Sequence, residues 1–179
     1  FCSGRKVWTG FNDLKTTHPT IAKEAIGWDP SKVSAGQAVR KKWECAIGHQ
    51  FYATISNRTG ANKTSCPYCT NQKVLVGFND LLHTHPQIAK EAHGWDPTSI
   101  TAGHNKHKNW ICSKGHKFSA YVTNRTSRDS ACPYCCGQKV WLGFNDLKTT
   151  CPEIAAEAIG WDPSTVTSGS DIKKRWKCK

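Results

Sequence analysis

Cys45-Ala46-Ile47-Gly48-His49 is followed, after sixteen further residues, by Cys66-Pro67-Tyr68-Cys69. A second set has the same form: Cys112-Ser113-Lys114-Gly115-His116, fifteen residues, then Cys132-Pro133-Tyr134-Cys135. Each set offers three thiolates and one imidazole. Soft sulfur with nitrogen, four ligands and a closed tetrahedron describe a structural zinc site. Gly48 and Gly115 permit a sharp turn before each His. Pro67 and Pro133 stiffen the turns that aim both sulfurs at one ion. Disulfides are the rival reading, but three cysteines per set cannot all pair within it, and Cys-x2-Cys with a fixed His favours metal.

The flanking sequence repeats with the ligands. Lys6-Val7 and Gly10-Phe11-Asn12-Asp13-Leu14 return at Lys73 to Leu81 and at Lys139 to Leu147. Ile21 to Pro30 returns at Ile88 to Pro97 and at Ile154 to Pro163. The offsets are 67 and then 66 residues. The expected organisation is the end of one repeat (1–4), two full repeats (5–69 and 70–135) and a partial third (136–179), a window on a longer array. By position, Cys2 is the last ligand of a truncated site and Cys178 the first ligand of another. Cys136 aligns with Ser3 and Thr70 and is not a ligand. Cys151 aligns with His18 and His85 and reads as a half-buried side chain before Pro152. His83, His93, His104 and His107 have no counterparts and read as surface residues. A unit this small needs a staple beyond its apolar core, and zinc supplies it.

Within a unit, Asn12-Asp13 caps a short helical turn starting at Leu14. Pro19 opens a second helix, with Ile21/Ala25 and Ala22/Ile26 as i, i+4 pairs and Gly27 as its stop. Val39, Lys41, Trp43 and Cys45 alternate, as do Phe51, Ala53 and Ile55, which predicts a two-stranded hairpin with Cys-x3-His at its turn. A polar loop carrying Asn57-Arg58-Thr59 leads to the second cysteine pair. Phe11, Leu14, Ile21, Trp28 and Trp43 are the expected core. Asp13 and Glu24 recur and read as a cap and as helix solvation. The fold class is therefore small α+β zinc-stapled modules in tandem, each a hairpin with zinc knuckles plus short helices.

These linked runs, Cys-Pro-Tyr-Cys, Gly-Phe-Asn-Asp-Leu, Trp-Asp-Pro, Trp-x-Cys-x3-His and Asn-Arg-Thr, resemble the tandem "probable zinc-ribbon" repeats of bacteria, phages, large DNA viruses and some algae, also described as treble-clef-like. The resemblance covers essentially the whole chain. It implies four-ligand zinc modules on Cys45, His49, Cys66 and Cys69 and on Cys112, His116, Cys132 and Cys135. Relatives joined to endonuclease-like domains suggest nucleic acid as a partner. The resemblance carries no reaction for the module itself.

The chain has 25 Lys+Arg against 13 Asp+Glu, a formal charge of +12 over 179 residues. Six thiolates remove six of those charges and two Zn²⁺ restore four, so the chain stays strongly basic. The cations recur in clusters: Arg40-Lys41-Lys42, Lys106-His107-Lys108 and Lys173-Lys174-Arg175 before the first knuckle, and Arg58 with Lys63 and Arg125 with Arg128 before the second. Lys6, Lys73 and Lys139 form a third recurring place. In a strand, alternate members of each trio face solvent. Such clusters suit a phosphate backbone, DNA first. The alternatives are that they offset thiolate charge, or that Arg58 and Arg125 brace the loop through backbone carbonyls. A protein-interaction scaffold is the second functional expectation, since tandem modules build long surfaces. An enzyme is not expected: protein ligands fill both complete sites, leaving no open position for water, and no nucleophile–base pair recurs. No run approaches the ~18 apolar residues of a membrane helix. Thiolate zinc sites suit an intracellular, reducing compartment, such as a bacterial or viral-host cytoplasm or an organelle.

Overall fold

A computed structural model describes residues 6–61 and 63–178. Cys2 lies outside the described residues. The chain divides into two compact units, Phe1–Leu75 and Val76–Lys179. The first holds one complete module; the second holds another and the partial third.

In the first module Asp13 is the N-cap of α1 (Leu14–Thr17): its carboxylate accepts from the Thr16 N–H at 3.0 Å and the Thr16 hydroxyl at 2.8 Å. Pro19 then opens α2 (Pro19–Ala22), where its missing N–H has no helical role to fill. Helix α2 is shorter than expected. It ends at Ala22, because the following backbone pairs with the hairpin: Ala25 bridges Trp43, Ile26 N–H donates to the Lys42 carbonyl and Glu44 N–H to the Glu24 carbonyl. Gly27, at φ +75°, turns the chain after that bridge rather than ending the helix.

After a 3₁₀ turn at Pro30–Lys32 come β1 (Arg40–Glu44) and β2 (Gln50–Thr54), antiparallel, with Trp43 opposite Phe51 and Lys42 opposite Tyr52. The hairpin matches the alternation up to Ala53, but Ile55 begins a helix, α3 (Ile55–Thr59), capped by the Thr54 hydroxyl. Asn57, Arg58 and Thr59 are thus helical rather than loop residues. The Thr59 hydroxyl ties α3 down by donating to the Ala35 carbonyl at 2.6 Å.

The core is Leu14, Trp43, Phe51 and Ile55, with Ala22 and Val33 at its edge. Trp28 meets Trp43 edge-on at 5.0 Å, and its indole N–H donates to the Lys42 carbonyl at 2.6 Å, so both the apolar body and the polar handle of the ring are used. Phe11 is a correction to the expected core: it is 71% exposed.

The second module repeats this plan with α4 (Leu81–Thr84), α5 (Pro86–Ala89), β3 (His107–Ile111), β4 (Lys117–Tyr121) and α6 (Val122–Ser127). Leu81, Trp110, Phe118 and Val122 form its core. The third begins it again with α7 (Leu147–Thr150) and α8 (Pro152–Ala155) over a small cluster of Leu147, Ala155 and Val166. Half-buried Cys151 packs on that cluster, in keeping with an apolar role.

Candidate metal centres and the basic faces

The hairpin turn between β1 and β2 carries Cys45 and His49, and Gly48 takes φ +83° there; Gly115 takes φ +81° in the second module. Cys66 and Cys69 come from the turn after α3. The structure brings all four together, and likewise Cys112, His116, Cys132 and Cys135, with the ligand atoms of each set within 4.8 Å of one another.

The spacing tests the donor set. A Zn–S bond of about 2.3 Å and a Zn–N bond of about 2.0 Å require about 3.8 Å between sulfurs and about 3.5 Å between sulfur and nitrogen across a tetrahedron. Cys45 and Cys69 sulfurs lie 3.8 Å apart, and His49 Nδ1 lies 3.3 and 3.8 Å from Cys69 and Cys66. In the second set the Cys112–Cys135 separation is 3.9 Å, and His116 Nδ1 lies 3.5, 3.7 and 3.3 Å from Cys112, Cys132 and Cys135. Both sets fit one tetrahedral ion held through Nδ1, and the other ring nitrogen is left to outer partners.

Within each set the surroundings shift two thiols in opposite directions. Burial, and then the neighbouring Cys66 and Cys45 thiols, push the Cys69 thiol up to about 12. Burial and the thiols of Cys132 and Cys112 push Cys135 up to about 11. Burial pushes the Cys45 thiol up, but backbone N–H groups of Ile47 and His49 together with hydrogen bonds from the Cys69 and Cys66 thiols outweigh it and hold the thiol below its ordinary value. Cys112 is lowered in the same way, with His116 and Lys114 supplying the N–H groups.

Beside each site lies an ion pair between a buried arginine and a half-buried glutamate that the sequence patterns did not suggest. Arg58 and Arg125, expected on a phosphate-facing surface, are only 5% and 6% exposed. Arg58 pairs with Glu24, and Arg125 pairs with Glu91 at 2.5 Å. The Arg58 guanidinium lies 5.1 Å from Trp43 and 5.3 Å from Phe51; Arg125 lies 5.2 Å from both Trp110 and Phe118. A guanidinium lying over two rings and paired with a carboxylate is a core component. The available signal was the joint recurrence of Glu24 with Glu91 and Arg58 with Arg125. Glu24 therefore serves the ion pair rather than helix solvation.

One lysine of each basic trio, two residues before the tryptophan of the Trp-x-Cys run, covers a ring. Lys41, Lys108 and Lys174 turn inward and lie 5.5, 5.1 and 5.2 Å from the rings of Trp28, Trp95 and Trp161. Arg40, Lys106, Lys173 and Arg175 are exposed, as are Lys63 and Arg128, while Lys42 is half-buried. Cys178 is exposed, and Cys136 is exposed and outside both ligand sets.

The second site also carries a seat. His116, 4% exposed, has the Trp141 ring at 4.8 Å and the Phe144 ring at 4.4 Å. Asn145 donates to the Tyr134 carbonyl at 2.6 Å and to the Lys139 carbonyl at 2.8 Å. The Gly-Phe-Asn-Asp segment of the third repeat thus rests on the zinc knuckle of the second.

Tandem α+β modules, each with a knuckle on a hairpin, a second knuckle after a short helix and a closed Cys3His set, define a zinc-binding treble clef. The family model described as "Probable Treble clef zinc finger domain" matches twice, over residues 22–72 and 88–138, and the chain belongs to that family. No curated protein matches the chain. Among the described residues no helix is long and apolar enough to cross a membrane.

Proposed function

We propose that the chain is a non-catalytic array that binds nucleic acid, DNA first, through outward basic side chains clustered before the zinc knuckles. The carrying observation is the outward set Arg40, Lys42, Lys63, Lys106, Arg128, Lys173 and Arg175, left over once the Trp-capping lysines and the buried arginines are removed. Repeated exposed cations on a strongly basic chain suit neutralisation of several phosphates with counterion release. Zinc has a structural role in this reading: three thiolates and an imidazole close the coordination sphere, leaving the ion no substrate position. Cys178, and by its position Cys2, would serve neighbouring sites of the same kind. Thiolate ligation suits a reducing compartment.

The test is fluorescence anisotropy of the zinc-loaded chain with labelled duplex DNA, single-stranded DNA and RNA at about 50 and 200 mM salt. The control replaces the seven outward cations by Ala and leaves Arg58 and Arg125 in place, since their loss would disturb the core. Expected is binding that falls steeply with salt and disappears in the control. Absence of binding at the lower salt sinks the proposal.

A further inference from the structure

The outer face of each hairpin carries an exposed aromatic ring in contact with a second side chain, an arginine in the first module and a histidine in the second. In the first module the register places Lys42 opposite Tyr52 and Arg40 opposite Thr54, all on the side away from Trp43 and Phe51. Tyr52 is 58% exposed, and the Arg40 guanidinium carbon lies 5.5 Å from its ring centroid. At the knuckle end of this face Gln50 holds the Glu44 carboxylate at 2.8 Å. In the second module His107 pairs with Tyr121 on the same outer side, their ring centroids 3.9 Å apart. Tyr121 is 39% exposed and exposed Lys117 lies on the same face. Neither tyrosine belongs to a core cluster, whereas Tyr68 and Tyr134 pack against theirs.

We infer that these faces are stacking platforms for unpaired nucleobases, so that the array's preferred ligand is a single-stranded nucleic acid. This rests on the nucleic-acid reading above. Bases inside a duplex have both faces covered by their neighbours, so an exposed ring on a strand gains contact only with bases that are unstacked. The ring takes the base face, and a cation of the same outer face, Arg40 in the first module and Lys117 at the far end of β4 in the second, takes a phosphate. Both functions are sequence-tolerant, because every base has a π-face and every nucleotide a phosphate. DNA and RNA single strands share this chemistry, and the probes separate them.

The experiment compares the zinc-loaded wild type, the Tyr52→Ala/Tyr121→Ala variant and the Tyr52→Phe/Tyr121→Phe variant. The probes are labelled oligo(dT), labelled oligo(rU) and a labelled DNA duplex of about the same length. Zinc content and far-UV circular dichroism verify the fold of each chain. Expected for the wild type is tighter binding to single strands than to the duplex. The Ala variant should lose about tenfold or more on single strands with an unchanged salt slope, and little on the duplex. The Phe variant, which keeps the rings, should bind single strands within about twofold of wild type. Equal single-strand affinity in the Ala variant, or a wild-type preference for the duplex, overturns the stacking inference. If the seven-cation control still abolishes binding in that case, the nucleic-acid reading survives without it. Failure of the wild type to bind any probe overturns both.

Discussion

The two complete modules share ligands, core and ion pair, but differ by one residue in the segment that closes the metal site. In the first, α3 ends at Thr59, and the longer loop lets Thr64 reach back: its N–H and hydroxyl donate to the Asn57 carbonyl at 2.9 and 3.1 Å, and its carbonyl accepts from Arg58 Nη1 at 3.0 Å. In the second, α6 runs on to Ser127 and the loop is shorter. Ser130 keeps the bond to Asn124, at 3.1 Å, but Arg125 Nη1 has no hydrogen-bond partner, and Asp129 is driven to φ +45°. The cavity beside the thiolates shrinks from 370 to 280 Å³. Metal geometry holds both knuckles in place. A lost residue is therefore absorbed in the loop, as one missing hydrogen bond and one strained backbone position.

The largest expected effect is loss of a ligand, which removes what the modules have in common. Cys66→Ser or Cys132→Ser should lower bound zinc from two ions to one, measured by metal analysis. The affected module should unfold, because structural zinc contributes on the order of 10 kcal/mol of folding free energy. Cys132→Ser should also release Trp141 and Phe144, whose seat is His116. Rapid amide exchange at residues 141–147 in that variant, set against protection in the wild type, would establish the seat as metal-dependent. Unchanged protection would show that the third repeat holds its place without it.

Next comes the ion pair. Arg58→Ala leaves Glu24 without its partner and strips a cation from two rings, so a loss of about 3 kcal/mol is expected in denaturant unfolding of the zinc-loaded chain. Arg125→Ala should cost about 1 kcal/mol less, because Arg125 lacks the second hydrogen bond that Arg58 makes to Thr64. Equal losses would mean that the Thr64 bond contributes nothing and that the loop difference has no energetic consequence there.

How much of this was legible in sequence follows from range. The ligands were readable because zinc chemistry leaves few donor sets and the spacings recur. The hairpin was readable because Trp43, Phe51 and Ala53 alternate. The same alternation misled at Ile55, since the first residue of α3 faces the core as a further strand residue would. Helix α2 was overread because Ala25 and Ile26 complete a helical pattern while their backbone is taken by β1, a contact of long sequence separation. Arg58 in a polar run looks like surface; only its pairing with Glu24, 34 residues away, shows otherwise. Phe11 looked like core because it is aromatic and recurrent. Its counterpart Phe144 packs on the zinc knuckle of the preceding repeat rather than within its own.

That observation gives the third prediction. Trp141, 38% exposed, and Phe144 rest on His116, whereas Trp8 and Phe11 are 60% and 71% exposed. Trp141→Ala should therefore cost about 1–2 kcal/mol, and Trp8→Ala about half of that or less. The same contrast should appear in zinc release to a chelator, with Trp141→Ala speeding loss of one ion and Trp8→Ala leaving both rates unchanged.

The smallest effect concerns Asp129 and acts on the one-residue difference itself. At φ +45° an aspartate is tolerated better than most residues but is still strained, and glycine is not. Glycine also frees the unfolded chain, but at a left-handed position the relief of native-state strain outweighs that entropy. Asp129→Gly should thus stabilise the second module by about 0.5 kcal/mol. Inserting one Gly between Arg128 and Asp129 restores the sixteen-residue spacing of the first module. If chain length is what separates the modules, the insertion should return a carbonyl to Arg125 Nη1 and bring the cost of Arg125→Ala up to that of Arg58→Ala. A gain from Asp129→Gly without that convergence would mean that strain was relieved while the arginine stayed unsatisfied. The two consequences of the shorter loop would then be separate.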